Sequence, residues 1–346
     1  MIVLGIESSC DETAAAVVRD GREVLSNVVL SQIDSHRPYG GVVPEIASRA
    51  HLEAMAPVIQ DAMDQAGLGW SDLDQIAVTQ GPGLASSLLI GITAAKALAM
   101  RTGCPLTGIN HLAGHLYSIH LNSELPLASP DCPWLVLLVT GGNTLLAHCQ
   151  SIEQVTVLGQ TIDDAVGEAL DKGATLLGLG YPGGPEIERL AKSGDPQRFS
   201  FPRGLQGGRG IVLGGYSREL CFSFSGLKTA LLYRLRDCPN WQQQGAGPDL
   251  AASYQEAAFD ALLDRLERAL LETGCQRVAC VGGVAKNLRL REKLDDLSTR
   301  RSVDLHVAPL AYCTDNAAMI AGLAGARAMQ GFPLIPVDDV QPNLPL

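Results

Sequence analysis

His111 and His115 lie four residues apart in the run Asn110-His-Leu-Ala-Gly-His115, and no other two of the seven histidines share that spacing. On a helix, side chains at i and i+4 project from one face. Two imidazoles on one face can hold a divalent metal when a third ligand arrives from elsewhere in the chain. The H-E-x-x-H turn of metalloproteases encloses a glutamate that serves as general base. Here Leu112, Ala113 and Gly114 stand between the histidines, so a metal at this turn would have to find its base elsewhere. Asp315, in Tyr312-Cys-Thr-Asp-Asn316, is the candidate third ligand. It also precedes an alanine-rich helix, where an aspartate serves as a cap or first-turn acid. On spacing alone the capping reading is the stronger of the two.

Other residues offer weaker chemistry. Gly81-Pro-Gly83 stands between a strand and a helix, where backbone N–H groups can meet an anion. Gly282-Gly283 stands in a similar place with Asn287 one turn on, a pattern that suits a nucleotide or merely a tight turn. Gly183-Gly184 poses the same choice. Asp163, Asp164, Glu168 and Asp171 cluster near Lys172, which reads first as a charged solvated face. Neither a Walker lysine motif nor G-x-S-x-G is present.

These residues must be positioned by the elements around them. Ile2 to Ile6 is apolar, Glu7 to Thr13 is a polar turn, and Ala14 to Val18 is apolar again. The pattern recurs as Trp134 to Val139, Thr140-Gly-Gly-Asn-Thr144, and Leu145 to Cys149. Both read as hairpins whose small-residue turns expose N–H groups able to cradle phosphate or carboxylate oxygens. The repetition suits a duplicated, two-lobed α/β protein with a cleft between the lobes; two ordinary hairpins are the alternative. Between the hairpins, Val43 to Ala66 is helix-periodic, Ile76 to Thr79 a strand, and Ser86 to Met100 a buried helix. Further on, helices are predicted over Ala165 to Leu177, Ser253 to Leu271 and Asn316 to Met329, with a strand over Arg277 to Val281. Gly180 to Pro185 reads as a loop, Ser193 to Gly215 as irregular, and the tail from Phe332 as extended.

Composition sets bounds. The chain has 346 residues, a length that suits about two domains. It is 46% hydrophobic and 18% charged, an ordinary soluble composition. A net charge of -11 and only 5% aromatics argue against extensive nucleic-acid binding without a local basic patch or help. Nine cysteines without C-x-x-C pairs suit reduced thiols in a cytoplasmic protein. No signal peptide or membrane span is visible, so the expected location is cytoplasmic.

Taken in order, the motifs resemble a known family. Gly5-Ile-Glu-Ser-Ser-Cys-Asp-Glu-Thr13 is similar to its opening, followed by Tyr39 to Arg49, Gly81-Pro-Gly-Leu84 and Asn110 to His115. Asp164 to Lys172, Tyr181 to Pro185, Phe222 to Thr229, Gly282 to Asn287 and Thr314-Asp-Asn316 complete the set. The family is that of the bacterial-type tRNA N6-adenosine threonylcarbamoyltransferases, once described as O-sialoglycoprotein endopeptidases, and the resemblance runs from residue 1 to about residue 330.

The resemblance implies the actin/Hsp70/sugar-kinase (ASKHA) fold, with lobes over residues 1–131 and 132–346 and the last helix packing back towards the first lobe. It implies transfer of a threonylcarbamoyl group from threonylcarbamoyl-AMP to N6 of adenosine 37, just 3′ of the anticodon, in tRNAs that read ANN codons. It implies one divalent metal per subunit, iron before zinc, on His111, His115 and Asp315. The substrate-contacting positions match Val139, Thr140, Gly141, Gly142, Asn143, Asp171, Gly184, Glu188 and Asn287. Partners follow as tRNA, a paralogous dimerisation subunit and a small ATPase, while a separate enzyme makes the adenylate.

Two positions depart from the family pattern: Asn143 replaces a common histidine, and Glu188 stands where some members have aspartate. An amide takes no proton at neutral pH, so position 143 is expected to hydrogen-bond and not to act as a base. Asp11 and Glu12, in the first turn, are the candidate catalytic carboxylates for accepting the amine proton. Arg198, Arg203, Arg209 and Lys228 are candidates for a basic tRNA surface. Competing readings are an ATP-dependent kinase of the same fold, which does not require His111 and His115, and a metalloprotease, which lacks its glutamate. A scaffold subunit is a further alternative.

Overall fold

The apolar run from the first residues forms a strand, and so does its partner across the polar turn. A computed structural model describes the chain except Gln206, Gly208 and Arg209. In the first half, β1 (Ile2–Glu7), β2 (Glu12–Arg19) and β3 (Glu23–Ser31) make an antiparallel meander. Helices α1 (Ile33–His36) and α2 (Pro44–Ala66) follow. Next, β4 (Gln75–Gly81) joins β1 in parallel, and α3 (Ala85–Thr102) leads to β5 (Leu106–Asn110), parallel to β4. Helix α4 (His111–Tyr117) begins where β5 ends.

The second half repeats this plan. Strands β6 (Trp134–Val139), β7 (Thr144–Cys149) and β8 (Val155–Gln160) form a meander. Helices α5 (Val166–Leu176) and α6 (Gly183–Ala191), a short ribbon of β9 (Val212–Leu213) and β10 (Tyr216–Ser217), and helices α7 (Ser225–Asp237) and α8 (Gly247–Thr273) come next. Strand β11 (Arg277–Val281) joins β6 in parallel, and after α9 (Leu288–Arg301) strand β12 (Asp304–Val307) joins β11. The final helix is α10 (Ala317–Met329).

The sheet orders are β3-β2-β1-β4-β5 and β12-β11-β6-β7-β8. Each places an antiparallel meander beside two parallel strands, with the first hairpin strand at the centre. This is the duplication that the paired hairpins suggest.

The chain divides into two units, Met1–Leu127 with Pro309–Leu346, and Ala128–Ala308. In the first, β1 is buried on both faces. Leu4 and Ile6 share a core with Met55, Val58, Ile59 and Met63 of α2, each such side chain contributing about 1.5–3 kcal/mol on burial. The opposite face, with Val3 and Gly5, meets α10. Helix α10 is rich in alanine and glycine, and this lets its backbone approach the sheet. A Cβ at Gly5 would lie 2.4 Å from the carbonyl oxygen of Ala317. The extended tail runs along β5, where Gly108 N–H donates to the Ile335 carbonyl at 2.9 Å and Asn110 Nδ2 donates to Pro345 at 2.8 Å.

Three sequence expectations need correction. The stretch Gly180 to Pro185 is not wholly loop, because α6 starts at Gly183. Helix α3 is buried on one side only; Leu89 and Met100 are exposed, since the helix covers one face of a sheet and turns its other side to solvent. Helix α8 is longer than Ser253 to Leu271 and is buried along most of its length.

Candidate metal centre and substrate-binding turns

Asn110 ends β5 and caps α4, its side-chain oxygen accepting from Leu112 N at 2.8 Å and Ala113 N at 3.2 Å. The helix therefore starts at His111 and presents His111 and His115 on one face, with ring centroids 4.7 Å apart. Gly114 lies between them, and a Cβ there would press on Ile320 at 3.0 Å and Met319 at 3.2 Å. The missing side chain lets α10 pack against α4, which brings Asp315, just ahead of α10, to the histidines.

Asp315 is not the cap of α10. That role falls to Asn316, whose side-chain oxygen accepts from Met319 N at 3.1 Å. Asp315 is left to face the imidazoles: its Oδ1 lies 3.0 Å from His115 Nε2 and 3.6 Å from His111 Nε2. One donor atom from each residue lies within 4.8 Å of the others. Tetrahedral ligands with bonds of roughly 2.1 Å stand about 3.4 Å apart, and the two distances from Asp315 Oδ1 lie close to that, so the chemistry of the donor set suits one transition-metal ion.

Around this triad the first turn is densely bonded. His111 Nδ1 lies 3.0 Å from Glu7 Oε2 and 3.1 Å from Ser9 Oγ. On the other side of the turn, buried His51 bridges Thr13 Oγ1 at 2.8 Å and the Cys10 carbonyl at 2.9 Å, tying α2 to the segment that carries Asp11 and Glu12. Sequence reasoning passed over Glu7, Ser9, Thr79 and His51. The one available signal was a glutamate closing an otherwise apolar strand.

Charge interactions are strong here. Burial alone would lower His111, but the carboxylates of Asp315 and Glu7 outweigh it and raise its pKa to about 9. Burial would raise Asp315, yet the charge on His111 and the hydrogen bond from His115 bring it down to about 2. Glu7 likewise stays below its usual range, because His111 outweighs burial. Glu12 goes the other way: burial, then repulsion by Asp315 and Asp11, pushes it well above the ordinary carboxylate range. These neighbours favour the neutral form of Glu12 over its carboxylate.

The second unit brings its own expected residues together. The turn after Val139 is closed by Thr140 N–H donating to the Asn143 carbonyl at 2.8 Å and Asn143 N–H donating to Thr140 Oγ1 at 2.9 Å. Position 143 shapes this turn through its backbone. Gly141 and Gly142 are exposed, and nothing lies within 4 Å of a Cβ built on either. No protein contact demands glycine at either position. Gly282, at φ +100°, sits against the Val139 carbonyl, where a Cβ would come to 2.3 Å. Gly167 lets the start of α5 press on Thr140 and Gly141.

Several of the polar side chains expected at substrate have protein partners. Asp171 Oδ1 accepts from Gly183 N at 2.6 Å and anchors the start of α6, beside Gly184. Glu188 Oε1 accepts from Leu288 N at 2.9 Å. Asn287 caps α9 through Leu290 N at 3.2 Å and donates to Gln255 at 2.9 Å. Lys172 pairs with Asp164 and Glu168, the bland reading of that acidic cluster. Of the basic candidates, Arg198 pairs with Asp249 and Arg203 with Asp260; Lys228 is exposed on α7, and Arg209 lies outside the described residues.

A profile of the TsaD family, tRNA N6-adenosine threonylcarbamoyltransferase, matches residues 23–322. This chain belongs to that family. A threonylcarbamoyltransferase of Trichlorobacter lovleyi is 50% identical over 331 residues, covering 96% of this chain and 93% of its own length. One from Syntrophobacter fumaroxidans is 49% identical over 344 residues, covering 98% of each. Among solved structures, HypF of T. kodakarensis superposes with a TM-score of 0.61 at 16% identity, covering 98% of this chain and 49% of that one. At that identity the likeness shows the fold alone, the ASKHA type that the family resemblance implies. This threonylcarbamoyltransferase acts on tRNA, forming threonylcarbamoyladenosine; the kinase and protease alternatives are not favoured. Among the described residues, no helix is long and apolar enough to cross a membrane.

Proposed function

We propose that His111, His115 and Asp315 form the metal centre of the transfer, with Fe2+ the preferred ion and Zn2+ the alternative. The observation that carries this is the convergence of both Nε2 atoms on Asp315 Oδ1. When bound, a divalent ion supplies Lewis-acid stabilisation of oxyanion charge on the activated carbamoyl group.

The chemistry left to the protein is positioning and proton transfer. N6 of adenosine attacks the carbamoyl carbon of threonylcarbamoyl-AMP. The new N–C bond forms as the C–O bond to phosphate breaks, and AMP departs with that electron pair. N6 must shed a proton, and its lone pair is delocalised into the ring, so a nearby acceptor lowers the barrier. Asp11 and Glu12 are the candidates for that role, with Asp11 preferred because burial and acidic neighbours weaken Glu12 as an ionised acceptor. In the second unit, Val139 to Asn143 would receive the adenylate through backbone N–H groups, with Asp171, Gly184, Glu188 and Asn287 framing the pocket around it. Because Glu188 and Asn287 are engaged in capping α9, they would act chiefly by holding backbone in place.

The protein would work in the cytoplasm, in keeping with nine free cysteines, and with a paralogous dimerisation subunit and a small ATPase. Its net charge of -11 makes such help with a polyanion reasonable. The test supplies the chain and these partners with unmodified tRNA, threonine, bicarbonate, ATP and the adenylate-forming enzyme. Mass analysis of digested nucleosides should show the modified adenosine in a metal-dependent manner. Full activity after metal removal would overturn the metal-centre reading. For the base, an Asp11→Asn chain given preformed adenylate should lose single-turnover transfer; an unchanged rate would remove Asp11 from that role.

A further inference from the structure

We propose that Glu7 is a positioning residue for the metal centre: its carboxylate grips His111 by Nδ1, aims Nε2 at Asp315, and couples that histidine to the turn bearing Asp11 and Glu12. The proposal rests on the metal-centre reading above.

Glu7 is the last residue of β1 and has no solvent exposure. A buried carboxylate is costly unless it is paired and hydrogen-bonded, and here three groups engage it. Oε2 receives Thr79 Oγ1 at 2.5 Å and faces His111 Nδ1 at 3.0 Å, while Oε1 receives the Ser9 backbone N–H at 2.5 Å. A carboxylate in this setting only accepts, so the proton between Glu7 and His111 sits on Nδ1. In the neutral ring this fixes the tautomer and leaves Nε2 as the nitrogen for a metal, the arrangement in which an outer carboxylate orients a ligating histidine and raises its basicity.

His115 has no such brace. Among the described residues its Nδ1 has no hydrogen-bond partner. The orientation of the pair against Asp315 thus depends on the Glu7 contact. The same carboxylate holds Ser9 N, two residues ahead of Asp11, so a change in the histidine ring would be felt in the first turn.

Glutamine cannot replace this glutamate. With its oxygen on His111, its NH2 group faces the Ser9 N–H, donor against donor. Flipped, the NH2 group faces Nδ1–H instead. Either way a buried donor loses its acceptor.

The test measures Co2+ affinity of the full chain by chelator competition, with thermal unfolding alongside. Wild type should bind one Co2+ that is lost in His111→Ala. Glu7→Gln should bind about 10–100-fold more weakly, with an altered Co2+ absorption spectrum, while Glu7→Asp recovers part of the affinity. Glu7→Gln binding within twofold of wild type, with the same spectrum, overturns the proposal. If wild type itself binds no Co2+, or His111→Ala binds as well, the metal-centre reading fails first and takes the proposal with it. Should Glu7→Gln not fold, nitrogen NMR of the Zn2+-loaded wild type decides. A proton on His111 Nδ1 with Nε2 on the metal supports the proposal, and the reverse tautomer overturns it.

Discussion

Asp315 Oδ1 lies 3.0 Å from His115 Nε2, although 200 residues of chain separate the two. The meeting is made by packing: α10 closes on β1 at Gly5 and on α4 at Gly114, and its leading aspartate arrives at the histidine face. Asn316 takes the capping duty that would otherwise occupy an acid at this place.

His111→Ala and Asp315→Asn should each lose bound metal, and transfer should fall by at least about 100-fold, since Lewis-acid stabilisation is worth several kcal/mol. The fold should survive, because Asn110 and Asn316 still cap their helices. Metal analysis, circular dichroism and nucleoside mass spectrometry check the three parts.

Asn316→Ala should do the opposite. It leaves the three ligands and removes a fully buried cap, costing about 1 kcal/mol, within a range of about 0.5–2. Denaturant unfolding measures the loss. An unchanged midpoint would mean that α10 does not depend on this cap.

Metal affinity should rise with pH. In the metal-free chain His111 titrates at about 9, so at neutral pH a metal must displace its proton. Apparent affinity should climb by about tenfold per unit from pH 7 to 8 and level off above 9. Calorimetry in buffers of different ionisation enthalpy should show about one proton released at pH 7; none released would contradict the ion pair.

Stability of the metal-free chain should peak on the acid side of neutrality. The His111 pKa is raised from 6.5 to about 9, so its contribution is complete below 6.5 and lost as pH climbs through 9. The Asp315 pKa is depressed from 3.8 to about 2, so its contribution is present above 3.8 and lost as pH falls through 2. Thermal melts in chelator should therefore be highest between about pH 4 and 6.5. A maximum at pH 9 would refute this.

Gly5→Ala should destabilise the first unit by about 1–3 kcal/mol. Its new Cβ would meet the Ala317 carbonyl oxygen at 2.4 Å and the Ala321 nitrogen at 2.8 Å, both backbone atoms of α10 that cannot swing aside. Because the shift would draw Asp315 from the histidines, Co2+ affinity should fall with stability. Retained affinity in a destabilised chain would show that Asp315 is positioned independently of α10.

The sequence alone determined the local pieces. Paired apolar runs around small-residue turns marked two matching hairpins, and the i,i+4 histidines behind Asn110 marked a one-faced pair, because such runs and the helix period are properties of short segments. It also carried the ordered motifs by which the family is recognised. It did not determine that Asp315 is a ligand candidate and not a cap, since a cap and its neighbour look alike until one knows which side chain the helix N–H groups meet. Nor did it reveal Glu7, whose significance lies in contacts to Thr79 and His111 that are 72 and 104 residues away. The tertiary structure decided those points, because only the close packing of α10 on Gly5 and Gly114 sets which buried polar groups face one another, and buried charges are stable only where such partners meet.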